Sequence, residues 1–181
     1  MFQSMQTTKK NDEVFFAKDK IVTLNSSYIA SLKRKAVNNP NNRVRLCAHK
    51  RDKDLLHEMF LVHTKNTYVR PHKHLGKEES LSIIEGRGTF FLFNEKGQIV
   101  RKIKIGNYQS GLVCYIRIEL PIYHNLVINS RYLVFHEVIR GPFDSSHAIA
   151  APWSPPQNEK EKVKVYLKQL GKASSALYYA Q

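Results

Sequence analysis

The chain has 181 residues, 42% of them hydrophobic, which is enough for one packed domain and too many for a disordered chain. No run of about 18 apolar residues occurs and the opening MFQSMQTTKKNDE lacks the apolar core of a secretory signal, so a soluble cytoplasmic protein without a membrane span is expected. The 29 Lys+Arg against 15 Asp+Glu give +14, of which residues 1–53 carry +8 (12 basic less 4 acidic).

Residues 1–12 read as a loose arm, followed by short strands near 14–17 and 20–23. Asn25 or Ser26 can cap a helix to about Val37, with Tyr28, Ile29 and Leu32 as its apolar stripe. Asn38-Asn39-Pro40-Asn41-Asn42 then ends it. From Arg43 the pattern becomes a series of short β-type runs: 43–46, 59–63, 80–84, 89–93, 98–105, 114–119, 124–128 and 132–138. Glu85-Gly86-Arg87-Gly88 reads as a turn between two strands, Asn94-Glu95-Lys96-Gly97 as a hairpin, and Asn129-Ser130 as a tight turn. Strands spaced roughly 8–12 residues apart, with no helical crossovers, predict an all-β sandwich or barrel. Residues 142–156 are proline-rich, and a charged helix is expected over about 158–170 with Val163, Val165, Leu167 and Leu170 as contacts. Three segments result: 1–42 (arm, strand and helix), 43–141 (the β domain) and 142–181. Cys47 and Cys114 are too few for a disulfide framework and too far apart for a zinc or redox pair.

The informative stretch runs from Tyr68 to Gly86. On a strand, residues i and i+2 share a face, so His72 and His74 point together. Glu79 opens the next strand on the face of Leu81 and Ile83, and Pro121-Ile-Tyr-His124 can return a fourth ligand. Three imidazoles and one carboxylate suit Fe, Mn, Ni, Zn or Cu, with positions left for water or substrate.

His72-x-His74-x4-Glu79-x6-Gly86 resembles the first cupin motif, and Pro121-x-x-His124 the core of the second. More narrowly, Tyr68-Val-Arg-Pro-His-Lys-His, Gly76-Lys77, Phe93 with Gly97, Glu137 with Gly141-Pro142-Phe143, and Ala151-Pro152-Trp153-Ser154-Pro155 resemble the WbuC-family cupin-fold metalloproteins over about residues 43–155. The second motif departs from the pattern: Tyr123 stands where glycine is expected, and no asparagine lies four residues beyond His124. The resemblance implies a cupin-type small β-barrel (double-stranded β-helix, or jelly roll) carrying helices at both ends. It also implies one divalent metal (Fe, Mn, Zn or Ni) on His72, His74, Glu79 and His124, a homodimer, and a role beside polysaccharide, lipopolysaccharide or O-antigen biosynthesis.

Tyr68, Arg70 and Lys77 are the candidate substrate-binding residues, because a cationic rim near an open metal suits an anionic sugar-type ligand such as a phosphorylated or nucleotide-linked sugar, or a carboxylate. His57, Glu58 and Tyr123 are the candidate proton-moving groups. His57-Glu58 is not half of a zincin motif, since position 61 is leucine. His49, His63, His136 and His147 read as structural, Glu137 as a buried partner of an arginine or of a ligand, and Trp153 as a lid. Three functions remain open: an isomerase- or epimerase-type metal enzyme on a sugar or sugar nucleotide, an Fe(II) dioxygenase, and a non-catalytic small-molecule binding or sensing protein. Nucleic-acid binding is disfavoured, because no zinc-finger, RNA-binding or basic-zipper pattern accompanies the charge.

Overall fold

The computed structural model describes residues 5–175, and its elements run β1 (Thr7–Lys9), β2 (Val14–Ala17), α1 (Ser26–Val37), β3 (Arg43–Cys47), β4 (Leu56–Thr64), β5 (His72–His74), β6 (Glu79–Phe93), β7 (Ile99–Gly106), β8 (Tyr115–Ile118), β9 (Tyr123–Arg140), β10 (Ala148–Ala150) and α2 (Lys160–Ser175). The β-rich architecture with two helices matches the expectation, but among the described residues the strands do not close into a ring. Two long bent strands organise everything. The carboxyl-terminal half of β9 lies between β4 and the first half of β6, and beyond these stand β3, β2 and β1 on one side and β8 on the other. The amino-terminal half of β9 lies between β5 and the second half of β6, with β10 and β7 outside them.

These two layers fold onto each other because alternation places apolar residues of both on one inner face. Leu81, Ile83, Leu133, Phe135, Met59 and Leu61 from one layer meet Phe90, Leu126, Ile128 and Ile105 from the other. The outer faces are buried as well. Helix α1, capped by the Asn25 side chain on the Tyr28 amide, lays Leu32 and Ala36 over Val44, Leu46, Val62 and Val134. Helix α2 and the segment around Trp153 cover Phe91, Phe93, Tyr123 and Val127.

Several local expectations change. The arm contains β1, paired antiparallel with β2, while residues 20–23 form no strand. Residues 85–88 and 129–130 do not turn the chain around. They are bends inside β6 and β9, where the register shifts between Ile83 and Glu85 and again between Gly86 and Gly88. Gly86 has φ +90°, and a Cβ there would overlap the Tyr132 carbonyl oxygen of the facing bend, so only glycine fits. The proline-rich segment holds β10, which pairs with β5. Helix α2 extends to Ser175, and its buried contact is Leu170, flanked by Tyr166 and Ala173; Val165 is 59% exposed and is not part of the stripe. No helix among the described residues is long and apolar enough to cross a membrane.

Candidate metal centre

His72 and His74 lie two apart on β5, so both rings point inward, and β5 pairs with β9 at His72–His124. The His72 and His124 ring centroids are 4.6 Å apart. One ligand atom from each of His72, His74 and His124 falls within 4.8 Å of the other two. Glu79, at the start of β6 in the opposite layer, completes the group: its Oε2 is 3.2 Å from His74 Nε2 and 3.4 Å from His124 Nε2. Two ligands held about 2.0–2.2 Å from one ion and cis to each other stand about 3 Å apart, so these separations fit a shared cation.

The second nitrogen of two rings is already committed. His72 Nδ1 hydrogen-bonds the Arg70 carbonyl at 2.9 Å, and His124 Nδ1 the Ile122 carbonyl at 3.0 Å. A carbonyl accepts only, so each Nδ1 carries a proton and Nε2 is the atom left to ligate, in His124 once it gives up the proton it shares with Glu79. Burial pushes His72 down to about 4, with the neighbouring His124 adding to it, so its ring is neutral. For His124, burial acts downwards, but the hydrogen bond and charge of Glu79 outweigh it and hold the ring above its ordinary value. In Glu79, burial is likewise overridden by hydrogen bonds from His124 and His74, and the carboxyl stays below the usual carboxylate range. The geometry that favours a shared proton between Glu79 and His124 therefore also favours a cation. Three histidines here are positioned to bind a metal ion.

The centre opens into a cavity of about 250 Å³ between the layers. Besides the Glu79–His124 pair, His57, His63, Asn125 and His147 each bring a buried polar atom without a hydrogen-bond partner to this cavity. Orphaned buried polar atoms are uncommon, and here they are concentrated in one place. Glu137 also lines it, with its carboxyl raised to about 8 by burial and by the charge of Glu79, against the opposing pull of Arg45 and His124.

The other sequence candidates separate. His57 lines the cavity and its ring stacks on His49 at 4.0 Å. Glu58 follows it on the same strand and so faces the other way, its nearest ionic partner being His136 at 3.9 Å. Tyr123 likewise points away from the ligands of its neighbour His124 and packs against Trp153 on the outer face. Tyr68 is buried and donates to the Pro155 carbonyl at 2.8 Å. Arg70 precedes the start of β5, and its guanidinium donates to Ser154 Oγ and to the Ala151 and Ser154 carbonyls, pinning the segment that carries Trp153. Lys77 stands on the cavity wall and donates to the Pro142 carbonyl. His63 and His147, read as structural, contribute to the cavity, and so do Arg43 and Arg45 of β3, which no sequence motif marks.

A domain of unknown function, DUF6016, matches residues 24–105. No curated protein matches the sequence. Among solved structures, the chain is similar to protein SO0799 from Shewanella oneidensis, at 10% identity and TM-score 0.47, covering 74% of this chain and 81% of that one. It is similar as well to the capsular polysaccharide assembling protein CapF from Staphylococcus aureus, at 15% identity and TM-score 0.44, covering 54% of this chain and 27% of that one. A third is a point mutant of Bacillus subtilis oxalate decarboxylase OxdC, at 15% identity and TM-score 0.43, covering 54% of this chain and 24% of that one. The chain thus aligns with only about a quarter of the length of the latter two.

Proposed function

We propose that this protein is a metal-dependent enzyme that holds one divalent transition metal on His72, His74, Glu79 and His124 and acts on a small sugar-type molecule. What carries the metal reading is the convergence of the three histidines with the Glu79 carboxylate, 3.2 and 3.4 Å from two of their Nε2 atoms, at the wall of a cavity. The metal supplies Lewis-acid polarisation of a carbonyl or hydroxyl. His57 is the proposed proton-moving residue, supported by its buried Nε2, which has no hydrogen-bond partner, on the wall of the same cavity. The sugar assignment, and with it a role in polysaccharide or O-antigen biosynthesis, is supported by the resemblance of the Tyr68–His74 and Gly141–Phe143 stretches to the WbuC-family proteins. A non-catalytic binding role is the second reading, because two of the three proton-moving candidates read from the sequence, Glu58 and Tyr123, stand outside the cavity.

Turnover of a sugar and sugar-nucleotide panel by the metal-loaded protein, followed by NMR, tests the choice. The enzyme reading predicts product formation that disappears with chelator and in His72→Ala, and returns to the wild type on adding metal. Saturable binding without product supports the second reading and contradicts the first.

A further inference from the structure

Arg43 and Arg45 both face inward from β3, yet they differ in how they are satisfied. Arg43 Nε bonds Glu13 Oε2 at 2.8 Å, and Asn41 donates to the other oxygen of that carboxylate. Arg43 and Glu13 therefore cancel. Arg45 acts on Glu137 and Glu13 through its charge but has no carboxylate at ion-pair distance. Among the described residues, its side chain makes one hydrogen bond, from an Nη to Met59 Sδ at 3.7 Å, and no ion pair. A thioether is a weak acceptor, and a guanidinium brings five donors. The group is half-buried on the cavity wall, and its remaining donors are accessible there rather than sealed in the core.

The charges within the cavity decide what it accepts. A divalent ion on three neutral imidazoles and the Glu79 carboxylate leaves a net single positive charge. Arg45 adds a second and Lys77, at the wall, a third; the Glu13–Arg43 pair adds none, Arg140 and Asp144 offset each other, and Glu137 subtracts one at most. The cavity is positive in every protonation state of Glu137. Its volume, about 250 Å³, lies below the range of roughly 300–1,000 Å³ typical of sites for drug-sized molecules, so it suits a monosaccharide-sized ligand rather than a nucleotide conjugate.

We infer that Arg45 is a specificity-determining residue of the cavity, and that the ligand is a monosaccharide-sized compound bearing one anionic group, a carboxylate or a phosphate monoester, received by the Arg45 guanidinium. The charge count rests on the proposed metal centre, whereas the lack of a salt bridge at Arg45 does not. The role assigned in sequence to Arg70 passes to Arg45, since Arg70 is consumed by the Ala151–Ser154 turn.

The test uses Co(II)-loaded full-length protein, with glucose 6-phosphate, glucuronate and glucose as probes sharing one hexose frame. Binding is read by calorimetry and by the visible Co(II) spectrum. At least one of the two anions is expected to bind tenfold or more tightly than glucose, and which one does so identifies the anionic group. Arg45→Met, matched in stem length and next to Met59, is expected to lose that preference at unchanged cobalt content, and Arg45→Gln to behave the same way. Equal binding of all three probes by the wild type, no binding of either anion, or full anion preference retained in a folded neutral variant overturns the inference. Should the wild type hold no cobalt, the metal reading fails by itself, and the same titrations on the metal-free protein still decide the role of Arg45.

Discussion

His72 and His124 stand opposite each other in the register of β5 and β9, and each directs Nδ1 at the carbonyl oxygen two residues before it, Arg70 or Ile122. The two rings are fixed in direction, each with a proton on Nδ1, before any ion arrives, and Glu79 faces His124 from the other layer at 3.4 Å. A buried charged pair of this kind loses most when only one member is removed, because the survivor is left without a partner. In chelator-treated protein, His124→Ala is expected to cost about 3–5 kcal/mol in chemical denaturation, and the double variant Glu79→Gln/His124→Ala less than the sum of its single changes. Strict additivity would show that the two groups do not interact.

Much of this centre is legible in the sequence, because one rule, the two-residue period of a strand, places His72 with His74 and Glu79 with Leu81 and Ile83. Applied consistently, the rule also separates His57 from Glu58 and Tyr123 from His124, since adjacent strand residues face opposite ways. Arg70 fails for a different reason: β5 begins only at His72, so the shared face does not extend back to it. Arg43 and Arg45 are hidden because alternation assigns Val44 and Leu46 to the core. That assignment is correct, but the core in question is the outer one beneath α1, and the arginines are left facing the cavity. The bends of β6 and β9 look like turns locally. Only their long-range pairing shows that the strands run on.

Those bends rest on Gly86. Its left-handed backbone and its contact with the Tyr132 carbonyl leave no room for a side chain. Gly86→Ala is expected to destabilise by about 2–4 kcal/mol, lowering the melting temperature by roughly 5–15 °C. A melting temperature within about 2 °C of wild type would contradict this account of the bend.

His63 links the cavity wall to acid stability. Burial, reinforced by the charges of Arg43 and Arg45, pushes its ring down to about 3. An unfolded histidine titrates near 6.5, so between about 6.5 and 3 the unfolded chain binds the extra proton. The contribution of His63 is thus fully present above about pH 6.5 and is lost as the pH falls through that window. Between pH 7 and 5 this amounts to as much as about 2 kcal/mol. Denaturation curves at the two pH values should show a smaller loss for His63→Gln than for the wild type. Identical losses would place the acid sensitivity elsewhere.

The most direct test of the metal centre is elemental analysis of protein purified without added metal, alongside His74→Ala prepared in the same way. His74 supplies one of the three converging imidazoles and lies 3.2 Å from Glu79, with its side chain largely enclosed. The wild type is expected to carry about one divalent transition ion per chain, and His74→Ala about tenfold less at comparable folding. A variant that retains the metal content of the wild type would contradict the assignment of this site.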